Sequence, residues 1–326
     1  MNSKQQVLSI GEILVDFVST ESGKTLKDAP AFVKCAGGAP ANVAVGIARL
    51  GTPSSFAGKV GDDPFGRFLV SEMRSAGVDT SGILFDPHHK TRLAFVSLKN
   101  DGDREFEFWE SQPADGHLEY SDIRRDLLKR SSIVNIGSFL LVKTPSREAV
   151  LHAAQYARKL GKHVCYDPNL RLSLWKNFGE AKRVMAAMIV RSTIVRLNDE
   201  EAFFFTRTRD LKAAAQRLRG LGPRLVVVTR GAKGCYFQTA QCSGYVPGFK
   251  VRVVDTTGCG DGFLAGLLHG LAQKGENLDG YSSEELRSIC EVANAVGALV
   301  ARKRGGIAAM PSRKEMRGFL KRRKAR

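Results

Sequence analysis

Short apolar runs alternate with stretches of helical periodicity along most of the chain. The apolar runs predict strands at Val7–Ile10, Ile133–Ile136, His163–Tyr166, Thr193–Leu197 and Arg224–Thr229. Between the last four, apolar residues three and four positions apart predict helices at Ser146–Leu160, Phe178–Val190 and Leu211–Leu221. Strands that alternate with helices are typical of parallel βαβ units. The pattern therefore predicts an α/β fold, with a mainly parallel sheet covered by helices on both faces.

Two regions interrupt this alternation, at 17–34 and 91–109. In the second region, two strand-like runs flank an Asp-Gly turn at Asn100–Asp103, which predicts a β-hairpin. Phe106 and Phe108 alternate with charged residues, so one face of this hairpin is apolar. An apolar face requires cover, and either a ligand beneath a lid or a partner subunit would provide it.

The glycine loop, which we define as Asp255–Gly262, carries the strongest chemical pattern in the chain. The run Phe249–Val254 predicts a strand before it, and apolar residues at helical spacing predict a helix after it that ends near Gly275. Such a loop presents free N–H groups and positive dipole potential to an anion. Asp261 would repel a phosphate unless it accepts a proton from an attacking hydroxyl, which predicts phosphoryl transfer. The simpler alternative is that Asp261 only caps the helix.

A second glycine-rich helix start lies at Gly37–Asn42. Paired glycines allow a ligand to approach the backbone closely, and the Asn42 amide could hydrogen-bond sugar hydroxyls. Asp16 follows the first strands, where it is either a turn carboxylate or an acceptor for two adjacent sugar hydroxyls. Asp167–Arg171 follows a strand at the edge where open α/β sheets bind ligands, and Arg171 could hold a phosphate or a substrate oxygen there.

Length and composition limit these interpretations. A chain of 326 residues, 43% hydrophobic and 25% charged, predicts one globular domain over residues 1–326. It has no apolar run of the roughly 18 residues that span a bilayer, and Met1–Gln6 does not resemble a signal peptide, so we expect a cytoplasmic protein without membrane contact. The six cysteines form no C-x-x-C pair and no metal-spaced cluster, which is typical of free thiols in a reducing compartment.

The net charge of +17 is large for a chain of this size. A basic C-terminal end, Arg313–Arg326, contributes many of the cations. A solvated basic end is favoured over a nucleic-acid-binding arm, because no helix-turn-helix, zinc-finger or RNA-binding pattern accompanies it.

Together, the two glycine-rich segments resemble the two signatures of the PfkB (ribokinase-like) carbohydrate kinases, in the right order and separation. The first is Gly37-Gly38…Asn42 and the second is Asp255-Thr-x-Gly-x-Gly-Asp261. The resemblance covers nearly the whole chain. Further segments are similar to fructokinases, particularly the plant type: Gly37–Gly51, Gly58–Gly66, Asp167–Arg171 followed by Leu174-Trp175, and Gly305-Gly306…Pro311.

The resemblance implies a ribokinase-like three-layer sandwich, in which helices flank a mainly parallel, twisted sheet. It also implies a small β-sheet lid formed by 17–34 and 91–109. In many relatives two such lids form a β-clasp, so the resemblance implies a homodimer that covers the apolar lid face.

The resemblance further implies the roles of individual residues. Asp261 would be the catalytic base toward the primary hydroxyl of the sugar, and the N–H groups of Gly258, Cys259 and Gly260 would form the anion hole for the transferring phosphoryl group. The implied sugar contacts are Asp16, Gly37, Gly38, Asn42, Phe106 and Arg171. ATP and Mg²⁺ are the implied cofactors. Asn198 and Glu201 match an N-x-x-E segment that organises Mg²⁺ and phosphates largely through water. The nucleotide-binding turn is matched by Thr229, Gly231 and Gly234, and Asn294 lies in the helix beside the adenine.

Three features depart from the family pattern. Cys259 stands where relatives usually have Ala, and a thiol at a helix N-terminus is expected to be reactive, so its ATP-protectable alkylation or oxidation should inhibit the enzyme. Glu110 stands where a lid cation often follows two aromatics, which disfavours an acidic sugar. The loop that binds an activating potassium ion in several relatives contains Arg302–Arg304 and Ala309 here and lacks a side-chain ligand, so potassium activation stays open.

The resulting expectation is an ATP-dependent sugar kinase, specifically a fructokinase that converts D-fructose and ATP to fructose 6-phosphate and ADP. A first alternative is a kinase of the same family that acts on 2-keto-3-deoxygluconate or a riboside. A second is a non-catalytic, kinase-like partner in nucleic-acid complexes, which the +17 charge permits. The joint presence of Asp16, Asn42, Arg171 and Asp261 argues against that scaffold.

Overall fold

A computed structural model describes residues 5–98, 104–109, 112–275 and 277–324. The strands within these ranges are, in chain order, β1 (Gln6–Ile10), β2 (Leu14–Ser22), β3 (Phe32–Gly37), β4 (Ser54–Gly61), β5 (Asp79–Asp86), β6 (Leu93–Leu98), β7 (Arg104–Phe108), β8 (Ser131–Gly137), β9 (His163–Asp167), β10 (Ile194–Asn198), β11 (Leu225–Thr229), β12 (Cys235–Gln238) and β13 (Ser243–Val246).

The α-helices of the same ranges are α1 (Ala39–Arg49), α2 (Pro64–Ser75), α3 (Arg125–Arg130), α4 (Ser146–Lys159), α5 (Phe178–Arg191), α6 (Asp199–Thr206), α7 (Leu211–Arg219), α8 (Cys259–Lys274), α9 (Ser283–Val300) and α10 (Arg313–Lys324). In the described part of the chain, no helix is both long and apolar enough to cross a membrane.

The main sheet has the strand order β13-β12-β11-β10-β9-β8-β1-β4-β5. Its pairings are parallel, except that β12 runs antiparallel to both β11 and β13 at one edge. Chain order reverses at β1, because β4 and β5 lie on one side of it and β8 to β13 lie on the other. The loops that follow β1 and β8 therefore diverge and leave a crevice at the carboxyl ends of the strands.

Helices cover both faces of the main sheet, which confirms the predicted α/β class. Apolar residues of α3 to α7 pack on one face, and residues of α1, α8 and α9 pack on the other. The two faces explain why β11 is a continuous apolar run: Val226 and Val228 belong to the first core cluster, whereas Leu225 and Val227 belong to the second.

The small sheet, with the order β3-β2-β6-β7, is separate from the main sheet, as predicted. In the register of this sheet, Asp16 of β2 pairs with Cys35 of β3 and with Ala94 of β6. Ala94 in turn pairs with Phe108 of β7. All four side chains therefore lie on one face of the small sheet. On the opposite face, the Phe17 ring stacks on Phe95 at 5.2 Å. The predicted turn at Asn100–Asp103 lies outside the described residues.

The run Phe249–Val254 was predicted as a strand, and this prediction is wrong. The segment crosses the surface as irregular chain, and its Val253 and Val254 side chains are 58% and 52% exposed. The Val254 and Asp255 N–H groups both donate to the Ala301 carbonyl rather than to a neighbouring strand. Apolar β-branched residues alone do not make a strand where no sheet edge is available.

The position expected for Asp16, after the first strands, is also wrong. Asp16 lies within β2, where it pairs with Cys35 of β3. Residues Arg313–Lys324 of the basic C-terminal end form α10. Met316 and Phe319 of this helix are buried in a cluster with Leu299 of α9, which anchors the helix.

Candidate active site

A cavity of about 570 Å³ lies between the carboxyl edge of the main sheet and the small sheet. Residues that follow β1, β8 and β9, and residues at the end of β10, form its floor, beside the point where chain order reverses. The residues that line it and bear on its chemistry are Glu12, Asp16, Gly38, Asn42, Phe108, Arg171, Arg196, Asn198, Gly258, Gly260 and Asp261.

Asp261 lies in the first turn of α8 and faces this cavity. Its side chain is only 9% exposed, and its Oδ2 accepts a hydrogen bond of 2.8 Å from Nδ2 of Asn42. Asn42 projects from α1, so the contact joins the two glycine-rich helix starts that the sequence had singled out. The structure thus brings together residues that are 219 positions apart in the chain.

The electrostatic environment of Asp261 suits a base. Burial raises its pKa to about 6, and the nearby Asp167 acts in the same direction. The hydrogen bond from Asn42 and the positive charges of Arg196 and Arg171 oppose the rise. Such a carboxylate is ionised at neutral pH, yet its pKa lies closer to neutrality than that of a solvated aspartate, as general-base catalysis requires.

The glycine loop bends sharply before α8. Gly258, at φ 71°, occupies the left-handed region that favours glycine, and its carbonyl accepts the Gly262 N–H at 2.7 Å. Asp255 fixes the loop: Oδ1 accepts from the Thr257 N–H and Oδ2 from the Gly305 N–H. Gly258 and Gly260 line the cavity.

Arg196 also belongs to the site, although no motif in the sequence predicted it. It is 8% exposed, its Nη1 lies 3.0 Å from Asp167 Oδ2, and its Nη2 donates to Thr229 Oγ1 at 2.7 Å. Burial acts to lower its pKa, but Asp167 and Glu201 outweigh burial and raise it. A Cβ at Gly260 would lie 2.9 Å from Nη1 of Arg196, so the guanidinium sits directly against the start of α8. The available signal was a lone arginine inside an apolar strand.

The residues predicted to contact a sugar lie on the side of the small sheet. Asp16 and Gly38 line the cavity, and a Cβ at Gly37 would lie 2.2 Å from Asp16 Oδ2, so only glycine leaves room for that carboxylate. Arg171 also lines the cavity, from the loop after β9. The side chain of Phe106 lies outside the described residues, as does Glu110. Phe108 lines the cavity, with its ring 5.3 Å from that of Phe139.

Asn198 and Glu201 form a capping box at the start of α6. Asn198 Oδ1 accepts from the Glu201 N–H, and Glu201 Oε2 accepts from the Asn198 N–H. Glu201 Oε1 also accepts from the Leu170 N–H at 2.6 Å. Burial, reinforced by Asp167, raises the pKa of Glu201. This carboxyl therefore ties the loop after β9 to the junction between β10 and α6.

Four residues were predicted to lie near the nucleotide: Thr229, Gly231, Gly234 and Asn294. None of them is among the described residues that line this cavity. Thr229 is held by Arg196, and the turn that follows it has positive φ at Gly231 and Gly234. Asn294 Nδ2 donates to the carbonyls of Val246 and Pro247, which ties α9 to the chain after β13.

Cys259 is not among the described residues that line the cavity, although its neighbours Gly258 and Gly260 are. Its N–H donates to the Thr256 carbonyl at 3.2 Å, and its Sγ contacts the Asp255 carbonyl at 3.8 Å. The Cys259 side chain packs against the core cluster of α1 and α2. Of the three residues predicted to form an anion hole, Gly258 and Gly260 thus line the cavity.

Comparisons with known proteins agree with this geometry. The family model described as pfkB family carbohydrate kinase matches residues 4–313. The chain is similar to the probable fructokinase-6, chloroplastic, of Arabidopsis thaliana, with 44% identity over 316 residues, which cover 96% of this chain and 82% of that protein.

Two solved structures are also similar over their whole length. The fructokinase with bound ATP from Xylella fastidiosa has a TM-score of 0.90 and 32% identity, and the match covers 99% of this chain and 100% of that one. The fructokinase from Vibrio cholerae O395, in a form bound to fructose, ADP and calcium ion, has a TM-score of 0.88 and 33% identity, with 98% and 100% coverage.

Proposed function

The chain belongs to the pfkB family of carbohydrate kinases, and from that membership we propose that it is a fructokinase. It would transfer the γ-phosphoryl group of ATP to the primary hydroxyl at C6 of D-fructose and release ADP. The observation that carries the proposal is the buried Asp261 carboxylate, which faces the cavity from the same helical turn as the Gly258–Gly260 backbone. A base and an anion-binding turn are thereby placed side by side.

In the proposed step, Asp261 accepts the proton of the sugar hydroxyl while the hydroxyl oxygen bonds to the γ-phosphorus. The bond between that phosphorus and the β–γ bridging oxygen breaks, and its electron pair leaves with ADP. N–H groups of the glycine loop stabilise the negative charge on the transferring group. Arg196, buried beneath Gly260, adds a positive charge close to the same place.

We assign the sugar side of the cavity to the residues that border the small sheet. Asp16 would accept from adjacent sugar hydroxyls, and Gly37 and Gly38 keep the backbone close to the sugar. Phe108 supplies an apolar wall on this side. Arg171 would contact the sugar or the γ-phosphate.

We assign the nucleotide to the side of Asn198, Thr229, Gly231, Gly234 and Asn294. Magnesium bound with ATP would neutralise phosphate charge. Among the described residues there is no group of three or more metal-binding side chains, and both Glu201 oxygens accept backbone N–H groups. These residues fit an ion held chiefly by phosphates and water, around which Glu201 orders the backbone.

We further propose a cytoplasmic location and a homodimer. All six cysteines are free, as expected in a reducing compartment. On the small sheet, Val33 is 54% exposed on the face that carries Asp16 and Phe108, which leaves apolar surface for a second copy to cover.

The test is a coupled ADP-release assay with Mg-ATP and a panel of fructose, 2-keto-3-deoxygluconate, ribose, glucose, adenosine and inosine. We expect turnover with fructose, which Asp261→Asn should lower about a hundred- to ten-thousandfold, because it removes the base but preserves the shape of the side chain. The thermal midpoint of Asp261→Asn serves as the control for folding.

Turnover with only another sugar would retain the mechanism and reject fructose as substrate. If no sugar is phosphorylated and the protein is retained on heparin with a steep salt dependence, the kinase proposal fails and the nucleic-acid scaffold gains support.

A further inference from the structure

The chain crosses between the two sheets at places that touch each other. It leaves the main sheet through Gly11–Ile13, which joins β1 to β2, and it returns through Gly37 and Gly38, which join β3 to α1. Gly38 has φ 105°, and a Cβ there would lie 2.6 Å from the Glu12 carbonyl oxygen and 3.1 Å from Ile13 Cα. The first crossing therefore fixes the conformation of the second.

Glu12 strengthens this junction with its side chain. Helix α1 begins after Gly38, which has no side chain to cap the free N–H groups. Oε1 of Glu12, from 27 positions upstream, accepts the Ala39 N–H at 3.0 Å. Glu12 thus supplies the missing cap from outside the helix.

We propose that Glu12 is a positioning residue for phosphoryl transfer, which holds the Gly37–Gly38 turn and the start of α1 in register with Asp261. The connection is short. Ala39, which Glu12 caps, lies one helical turn before Asn42, and Asn42 Nδ2 donates to Asp261 Oδ2 at 2.8 Å. Glu12 also lines the same cavity as these residues. It therefore acts on the sugar-binding turn and on the base together.

The second oxygen of Glu12 makes this position sensitive to pH. Glu12 is 4% exposed, and its Oε2 is buried without a hydrogen-bond partner in the described part of the chain. Burial raises the Glu12 pKa to about 8, and the charges of Asp115, in the turn after the small sheet, and Asp261, in α8, add to the rise. Hydrogen bonds from the backbone N–H groups of Glu12 and Ala39 oppose it. Arg92 pairs with Asp115 at 2.8 Å and balances the charge of that carboxylate. Above this pKa, a second negative charge would stand near Asp261 and oppose the incoming phosphate.

The test compares Glu12→Ala and Glu12→Gln, and it rests on the proposed fructokinase activity. Glutamine keeps an oxygen for the Ala39 N–H but stays neutral, whereas alanine removes the cap. Asp210→Ala is the matched control, because Asp210 caps α7, away from the cavity, through the Ala213 N–H. We would measure kcat, the KM values for fructose and ATP, the dependence of kcat/KM on pH, and Tm for each variant.

We expect Glu12→Ala to raise the fructose KM and to lower kcat, each about tenfold, while the ATP KM changes less than about twofold. Glu12→Gln should restore both near neutral pH. It should lack the alkaline decline of kcat/KM near pH 8 that we expect of the wild type, but it should keep the acid decline. Asp210→Ala should lower Tm without changing these constants.

The inference is overturned if Glu12→Ala behaves as Asp210→Ala does, or if Glu12→Gln retains the alkaline decline. The second outcome remains decisive even when Glu12→Ala does not fold. The wild type is assayed with fructose before any variant is compared. If it does not phosphorylate fructose, the proposed function is wrong, and this outcome is distinct from a failure of the inference about Glu12.

Discussion

Arg196 balances buried negative charge in the cavity. Arg196 pairs with Asp167 and also opposes the rise in the Asp261 pKa that burial causes. An unpaired buried charge costs about 3–5 kcal/mol when its partner is removed. The pKa of Asp261 therefore depends on Arg196 as well as on its own hydrogen bond with Asn42.

The hydrogen bond from Asn42 gives a prediction for the pH dependence. Asp261 acts as a base only when ionised, so kcat/KM should fall as the pH drops through about 6. Asn42→Ala removes a bond that favours the ionised form. A hydrogen bond to a charged group is worth about 1.5 kcal/mol, so the acid decline should move upward by about one pH unit. The measurement is kcat/KM against pH for both proteins.

The control for this experiment is Asn177→Ala, which removes an asparagine cap from α5 on the exposed surface. Its acid decline should remain at the wild-type position. If Asn42→Ala lowers activity but leaves the decline in place, Asn42 acts on the sugar and not on the base.

The start of α8 depends on close packing rather than on side-chain capping. Gly258, its N-cap residue, makes no side-chain hydrogen bond, and the Arg196 guanidinium fills the space beside Gly260. Two hydrogen bonds from Asp255 hold the loop from the other side. A helix that begins in this way can present its first N–H groups to a ligand.

Gly260→Ala tests this packing. The added methyl group would lie 2.9 Å from Arg196 Nη1, so either the guanidinium or the loop must move. We expect kcat/KM to fall at least about a hundredfold, since small displacements at an electrostatic site have large kinetic effects. Steady-state kinetics and thermal unfolding would measure the outcome.

Gly318→Ala in α10 is the matched helical control. Its methyl group would meet only the flexible end of Arg322, at 3.5 Å. This variant should gain about 0.5–1 kcal/mol of stability and keep full activity. Equal kinetics in Gly260→Ala and the wild type would show that Arg196 moves without consequence.

The molecule as a whole places its cavity where two sheets meet. The main sheet supplies the loops after its parallel strands, and the small sheet supplies the face that carries Asp16 and Phe108. The ribokinase-like fold expected from the sequence is confirmed, since fructokinase structures match nearly the whole chain. Because the cavity wall comes from both sheets, their relative position controls access to the site.

The proposed dimer gives a prediction for the assembly. Light scattering after size exclusion should give twice the monomer mass of 35.6 kDa for the wild type. Val33→Glu, on the exposed apolar surface of the small sheet, should give the monomer mass, because a buried unpaired carboxylate opposes association. Val190→Glu, at a similarly exposed valine of α5, is the control and should remain dimeric. A monomeric wild type would contradict the proposal.

Local signals in the sequence accounted for most elements of the main sheet. The run His163–Tyr166 and the helix Ser146–Leu160 each lie within one residue of the observed β9 and α4. The run Phe249–Val254 failed because a β-branched apolar segment becomes a strand only beside an available sheet edge, and its N–H groups found the Ala301 carbonyl instead. Glu12 and Arg196 were not predicted as site residues, because each is a single charged residue beside or within an apolar run and belongs to no recognisable motif.

By itself, the sequence determined the α/β class, the two glycine-rich helix starts and the candidate base Asp261, since periodicity and glycine loops are properties of neighbouring residues. Only the tertiary structure decided which side chains act together. Asn42 meets Asp261 across 219 positions, Glu12 caps α1 across 27, and Arg196 lies against Gly260. Such contacts arise from the order of strands in the sheet and the packing of helices on it, which no local pattern encodes.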